Sequence, residues 1–373
     1  MAQQRQMDST GGPGCPDSPE ASYSLQNSSL QDEDCPQKVI EDGNDVYRPG
    51  DFHPVCIGDV YNDRYKILNK IGYGSYSTVC AESYGTEHDI FEKEILTHLR
   101  NGDRDLLGYN HIAHLVDDFE HEGPNGKHVC LVFQVYGELS EVSVPSLDYA
   151  HYYGIIHTDI QPSNIFVKFR DYSLIESAYL QKRPAIPSHP LHNSYFNESH
   201  NILEFDVDLG DWSVASFADR HLTENIQPVA LRAPEVLIKA PWDTKTDFWN
   251  LGAVILELYR TVRMFSGQVE PDGHYEVSEH LVEIVDLFGL FSKALLERGN
   301  QEIVRGIFDE EGKVKDMPPM GRPPLDSEAF VPGLDQDARE GFVSFLRAMM
   351  KIDPAEWLTA EDYLRHPWLG ALR

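Results

Sequence analysis

The first 44 residues show almost no apolar periodicity, whereas the rest of the chain alternates between strand-like and helix-like patterns. Residues 1–44, rich in Ser, Gln, Gly, Pro and acid, cannot bury enough surface to offset chain entropy and are expected to form a disordered tail. Order is expected to begin near Tyr47, in a stretch of aromatics and prolines suited to lying against a domain surface. Residues 65–71 alternate as a strand and run into Gly72-Tyr73-Gly74-Ser75-Tyr76-Ser77-Thr78-Val79, which predicts a strand, a glycine turn and a second strand. Residues 91–99 have helical spacing with Phe91, Ile95 and Leu99 on one face, and residues 128–136 read as a buried strand leading to a connector.

Farther along, paired hydrophobics on both sides of residues 157–164 anchor a polar loop between two apolar runs. Residues 169–202 are polar and dotted with aromatics and prolines, and predict an irregular insert. Residues 203–210 form a strand pattern that ends in an acid and a glycine. Residues 246–258 are apolar on every side, the mark of a buried helix. Helical patterns return at 281–290 and 341–350, separated by a proline-rich connection at 317–332, and the last predicted helix covers 359–364.

A length of 373 residues with 41% hydrophobic content suits one large two-lobed domain or two ordinary ones. No run is apolar for the length of a membrane span and the first residues lack the apolar core of a signal peptide, so no membrane partner and a cytoplasmic or nuclear location are expected. Cys15, Cys35, Cys56, Cys80 and Cys130 stand singly, which argues for reduced thiols and against a zinc site. His189 and His192 are separated by Pro190, which opposes a helix that would aim them together. Sixty-one acids against 31 bases give a net charge of -30, a field that repels phosphate backbones and attracts cationic partners. Direct nucleic-acid binding is therefore not expected.

The polar loop changes the picture most. Asp159 and Asn164 lie five apart, so that Asp159 is free to accept a hydroxyl proton and Asn164 to hold a cation, a phosphoryl-transfer arrangement. Asp208, at the end of its strand, is placed as a second cation ligand. Gly72 and Gly74 let backbone amides approach phosphate oxygens, and Val79 is placed to cover an adenine ring.

In order, the glycine flap, Glu92, His157-Thr158-Asp159 with Asn164, Asp208-Leu209-Gly210, Ala233-Pro234-Glu235 and Asp247-x-Trp249-x-x-Gly252 resemble the eukaryotic protein-kinase signature set. Thr158, Leu209, the insert and the lead-in Phe52-His53-Pro54-Val55-x-Ile57-Gly58-Asp59 resemble the SR-protein kinases, particularly fungal ones. The similarity covers about residues 47–373. It implies an α+β, bilobal kinase-like fold over residues 45–373, with a truncated N-terminal β lobe at about 60–136 and a mainly helical C-terminal lobe at about 137–373. It also implies ATP and Mg2+ as cofactors. Asp159 would orient the substrate hydroxyl and accept its proton, while Asn164 and Asp208 would hold magnesium. Ile71, Gly72, Gly74, Val79, Glu92, Phe133, Gln134 and Tyr136 would contact the nucleotide or support its site, with Phe133 behind the adenine and the backbone of Gln134 and Tyr136 at its edge. Glu235 and Asp247 would be structural. The substrates implied are Arg/Ser-rich splicing-factor-like proteins, to which a protein of charge -30 is electrostatically suited, and the chain is expected to be a monomer.

Four departures qualify the resemblance. No lysine lies between Lys70 and Lys93, although the family uses one on its third strand to grip phosphates and pair with Glu92. Lys93, adjacent to Glu92, is expected to face elsewhere. Between Gly137 and Leu147, where the family has one helix and most of another, the chain is short, a loss expected to expose apolar surface. Gln161 stands where a lysine usually neutralises the moving phosphoryl group, and Trp357 where an arginine usually pairs with Glu235. The first reading is accordingly a serine/threonine kinase. A pseudokinase scaffold is the alternative, and a small-molecule phosphotransferase is disfavoured by the motifs around Glu235 and Asp247.

Overall fold

The computed structural model describes residues 53, 55, 58–68, 77–78, 81–82, 91–134, 136–138, 144–168, 207–269, 273–318 and 320–371. The polar tail, the insert at 169–202, the start of the strand at 203–206 and the flap residues Ile71, Gly72, Gly74 and Val79 lie outside these residues. Of the lead-in, only His53, Val55, Gly58 and Asp59 are described.

Among the described residues up to 138, strands predominate. β1 (Val60–Tyr61) pairs antiparallel with β2 (Tyr65–Lys66), so the first strand expected from the alternation at 65–71 turns back on its own lead-in. β3 (Ser77–Thr78), β4 (Ala81–Glu82), β5 (Asp117–Gly123) and β6 (Gly126–Val132) form a four-stranded sheet in the order β3-β4-β6-β5. The β5–β6 hairpin runs in unbroken register from Asp117↔Val132 to Gly123↔Gly126. At its tip Gly126 has φ +129°, a conformation that other residues rarely adopt. His53 packs edge-on against His121 of β5 at 4.6 Å and lies 5.2 Å from His128 of β6, while its Nε2 is 3.1 Å from the Tyr61 hydroxyl. This histidine cluster sits so close to the hairpin that a Cβ on Gly123 would come within 2.2 Å of His53 Nδ1.

Helix α1 (Glu92–Arg100) forms where the spacing predicts it, with acids in its first turn and Arg100 in its last, an arrangement that complements the helix dipole. Ile95 and Leu99 are fully buried as expected, and Leu96 joins them. Residues 107–111 make a 3-10 turn that lies directly on α2 (Val144–Tyr152): a Cβ on Gly108 would come 1.9 Å from the Pro145 carbonyl oxygen. Despite the gap expected before it, α2 is well seated. Val144, Leu147, Tyr149 and Ala150 are buried, and the Tyr149 hydroxyl donates to the Leu99 carbonyl at 2.7 Å. Apolar exposure does occur nearby, at Leu107, Val116 and Tyr152.

Three short strands then form a sheet in the order β10-β9-β7: β7 (Tyr136–Glu138), β9 (Ile165–Lys168) and β10 (Val207–Leu209). β8 (Ile155–Ile156) pairs with β11 (Ser216–Phe217). The described helices that follow are α3 (Pro234–Leu237), α4 (Thr246–Arg260), α5 (Val277–Phe288), α6 (Lys293–Arg298), α7 (Gln301–Ile307), α8 (Gln336–Met349), α9 (Ala360–Leu364) and α10 (Pro367–Ala371). A small hairpin, β12 (Gln268–Val269) with β13 (His274–Tyr275), precedes α5. α9 begins with a capping box between Thr359 and Asp362, and α10 is an element the sequence pattern does not predict.

α4 is the axis of the core. Its residues 246–254 are all buried, but Ile255, Leu258 and Tyr259 are only partly covered, so the all-round burial expected of it holds for its first half only. Phe342, Val343, Phe345, Leu346 and Met349 of α8 are also buried in this core. Gly252 permits the contact between α4 and the end of α8, since a Cβ there would come 2.6 Å from Met350 Cγ. Each large apolar side chain buried here stabilises the fold by about 1.5–3 kcal/mol.

Candidate active site

β8 and β9 suspend the loop 157–164 between them, and the side chains of α4 fix its path. Asp247 and Asn250 are three apart in the first turns of α4 and therefore point the same way. Asp247 accepts hydrogen bonds from the backbone amides of His157 (2.8 Å) and Thr158 (2.9 Å) and from His151 Nε2 (2.9 Å). Asn250 clasps the backbone of Ile160 on both sides, accepting from its amide at 2.9 Å and donating to its carbonyl at 2.8 Å. Asp247 was recognisable as structural from its motif. The matching part of Asn250 was not, although the three-residue spacing was its available signal.

His157 is fully buried, with its ring 4.6 Å from that of Trp212. Its Nδ1 accepts from the Asp159 amide at 3.2 Å, so Nε2 carries the proton and donates to the Gly210 carbonyl at 2.9 Å. One imidazole thus ties the loop to the segment after β10. Thr158 has φ +67°, a strained conformation for a β-branched residue, and its hydroxyl donates to the Val214 carbonyl at 2.9 Å.

Asp159, Gln161 and Asn164 meet in one cluster. Asp159 Oδ2 accepts from Gln161 Nε2 at 3.0 Å and from Asn164 Nδ2 at 2.9 Å; Asn164 Nδ2 also donates to the Asp159 carbonyl at 2.9 Å. One of the two Asp159 oxygens is thus engaged within the loop, and the expected proton acceptance falls to the other. Burial raises its pKa above the ordinary carboxylate value, opposed by His157 and by the amides of Gln161 and Asn164, with Asp211 adding to the rise. Asn164 Oδ1 accepts from Ser163 Oγ at 3.2 Å, and the Asn164 carbonyl accepts from the Gly210 amide at 3.0 Å, which brings the loop beside the end of β10.

Asp208 stands opposite Phe166 in the β9–β10 ladder, and Tyr136 stands opposite Lys168 in the β7–β9 ladder. The two-residue period of β9 puts Phe166 and Lys168 on one face. The Tyr136 and Phe166 rings stack at 5.5 Å, and the Lys168 Nζ lies 2.8 Å from Asp208 Oδ1. Burial raises the Asp208 pKa, and Lys168 opposes the rise most strongly. No feature of the spacing marked Lys168 as part of the site.

The remaining predicted residues are spread around this centre. Glu92 is buried in the first turn of α1. Lys93 pairs with Asp118 of β5 at 2.5 Å while Glu92 beside it is buried, in keeping with the different helix faces expected of the two. Phe133 is packed against the core and Gln134 is exposed, both between β6 and β7. Arg220 joins α1 to the segment after β11: its guanidinium binds both carboxylate oxygens of Glu94, at 3.0 and 2.9 Å, and lies over the rings of Phe91 and Phe217.

Glu235 is fully buried, and burial raises its pKa to about 8, with Asp243 adding to the shift. Its own backbone amide, Thr246 and Arg298 oppose the rise. The Arg298 guanidinium is itself committed to Asp353 at 3.1 Å. Trp357, in the position expected of an arginine, donates its indole proton to the Lys351 carbonyl at 2.6 Å instead.

Among the described residues no cluster of three or more His, Cys, Asp or Glu side chains is arranged to hold a metal ion, and no helix is long and apolar enough to cross a membrane.

Comparison with known proteins finds a protein kinase domain over residues 128–369. A serine/threonine protein kinase of Aspergillus fumigatus is 29% identical over 372 residues, covering 90% of this chain and 91% of the relative. The serine/threonine-protein kinase SRPK of Physarum polycephalum is 24% identical over 88% of this chain and 91% of its own length. Protein kinase dsk1 of Schizosaccharomyces pombe is 26% identical over 89% of this chain and 85% of its own.

Proposed function

Because this chain belongs to the protein kinase family, we propose that it transfers the γ-phosphoryl group of ATP to serine or threonine hydroxyls of protein substrates. The observation that carries the reading is the Asp159–Asn164 hydrogen bond at 2.9 Å, in a loop fixed at His157 and Thr158 by Asp247 and at Ile160 by Asn250. Phosphoryl transfer asks a protein mainly for positioning and charge stabilisation, and this loop is a positioning device.

Asn164 Oδ1 and the Asp208 carboxylate are hard oxygen donors of the kind magnesium takes. Asp208 is buried and already holds a stand-in cation, the Lys168 ammonium, so the residues fit the ion. Bound there with ATP, magnesium would offset charge on the phosphate oxygens. Asp159, through the oxygen that Gln161 and Asn164 leave unused, would orient the incoming hydroxyl and take its proton. Gln161 holds Asp159 in place but adds no positive charge, which makes transfer slower than with a lysine there. Phe166 and Tyr136, stacked on one face of the three-stranded sheet, offer an apolar surface for the adenine.

The charge of -30 supports a basic substrate, and Arg/Ser-rich proteins are the class it suits best. Radiolabelled phosphate transfer from ATP to an Arg/Ser-repeat peptide, with Asp159→Asn as control, tests the reading. Transfer by the unaltered chain and its loss in the control are expected; equal signal from both removes it. A second reading, a nucleotide-binding scaffold, draws on the engagement of Lys93 with Asp118, which leaves that lysine away from the phosphates. Magnesium-dependent ADP binding without transfer would favour it.

A further inference from the structure

Lys168 has a place in this site that the general kinase arrangement does not supply. Its Nζ is 2.8 Å from Asp208 Oδ1 and donates to the Asn110 carbonyl at 2.5 Å. The two partners differ in exposure: the Asp208 side chain is 1% exposed and that of Lys168 is 26% exposed. The carboxylate is thus shut in while the lysine side chain, a flexible four-carbon stem, is partly exposed. Both Asp208 oxygens are fully covered, so a cation from solution cannot reach them past the present arrangement.

We propose that Lys168 competes with magnesium for Asp208, so that loading the metal requires the ammonium to leave the carboxylate. This rests on the phosphotransfer reading of the same site. A buried carboxylate needs a compensating charge, and one lysine or one divalent ion can supply it. The two cations repel each other at this range, which makes their occupancy of Asp208 mutually unfavourable. The Asn110 carbonyl gives the displaced ammonium a partner it already holds, so Lys168 can yield Asp208 without losing every hydrogen bond. The competition sets a threshold of magnesium below which Asp208 stays closed, and that threshold is written into β9 itself, four residues after Asn164.

The rival role for Lys168 is to grip a phosphate in place of the absent third-strand lysine. The two roles predict opposite behaviour. The full chain and its Lys168→Met and Lys168→Gln variants are titrated with magnesium chloride at fixed concentration of a fluorescent ADP analogue, and ADP binding is measured separately in EDTA. Glutamine keeps a hydrogen-bond donor against Asp208, so folding does not depend on the methionine variant alone; circular dichroism checks both. Competition predicts that the magnesium concentration for half-maximal uptake falls about tenfold or more in both variants, since a like charge beside the ion is removed, while ADP affinity in EDTA is unchanged. Lys168→Arg keeps the charge and leaves the midpoint where it is or raises it. An unmoved midpoint in the methionine and glutamine variants, or lost ADP affinity in EDTA, overturns the competition while leaving the phosphotransfer reading intact. If the unaltered chain takes up ADP neither with magnesium nor without it, that reading fails, and the competition with it.

Discussion

Two carboxylates, Asp247 at the start of α4 and Glu235 in α3, are equally inaccessible to water and occupy opposite chemical situations. Asp247 is met by two backbone amides and an imidazole. Glu235 has burial as the main influence on it, and its pKa rises to about 8. Depth in the protein is the same for both; the supply of donors is not. The comparison teaches that a buried acid becomes a scaffold only when its lone pairs are occupied, and otherwise takes up a proton and becomes an expense to the fold. The catalytic loop is built on the first kind. The segment that ends at Ala233-Pro234-Glu235 rests on the second, because Trp357 replaces the expected arginine and Arg298 is held by Asp353.

Breaking the well-supplied partner gives the largest effect. Asp247→Ala leaves two buried amides and the part-buried His151 imidazole without an acceptor and is expected to cost about 3–5 kcal/mol, read as a lower urea midpoint, with phosphotransfer lost. The opposite sign is expected at Glu235. Its folded pKa lies above the unfolded value of 4.5, so the folded chain retains a proton that the unfolded chain releases, and stability declines as pH rises from 4.5 to about 8. Glu235→Gln removes that decline and stabilises the chain at pH 7 by on the order of 2 kcal/mol. Thermal melts of both proteins across this range check it, and parallel curves would refute the contrast.

Within the loop itself, Gln161→Lys restores a positive charge and is expected to raise the rate of transfer about tenfold, measured as initial rates at saturating ATP. A rate no higher than that of the unaltered chain would show that the amide already satisfies the site. The smallest effect concerns a base in place of an acid. Burial lowers the pKa of His53 to about 4, with His121 and His128 adding to the shift and Asp59 opposing it. Its folded value lies below 6.5, so its neutral form is favoured by folding and stability is lost as pH falls from 6.5 to about 4. A loss of roughly 1 kcal/mol is expected, and His53→Phe should flatten that limb of the melting profile.

Much of this was legible in the residues. The stripe Phe91, Ile95 and Leu99 announced α1, the apolar run at 246–258 announced the core helix, and the apolar pairs around Asp159 announced a suspended loop. These signals are local: each depends on a period that one element imposes on its own stretch of chain. What escaped depends on contacts between distant stretches. Lys168 meets Asp208 only because β9 and β10 pair across the whole insert, and Gln161 engages Asp159 through a side-chain geometry that no period records. Asn250 is intermediate, since its three-residue distance from Asp247 was visible but its partner, the backbone of Ile160, lies 90 residues away. The absence of a lysine between Lys70 and Lys93 is plain in the sequence. The engagement of Lys93 with Asp118 followed from helix geometry in direction, but not in partner.

Thr158 carries a further consequence. Its left-handed backbone at φ +67° works against its own side chain, and the Asp247 and Val214 contacts hold it there. The loop is therefore a loaded spring with α4 as its catch. As temperature rises, the catch should slip before the helical core melts, and the chain should lose its function while its secondary structure is still intact. The temperature at which phosphotransfer is lost is then expected to lie below that of unfolding, by a margin that depends on Thr158 and on the Asp247 contact that holds it.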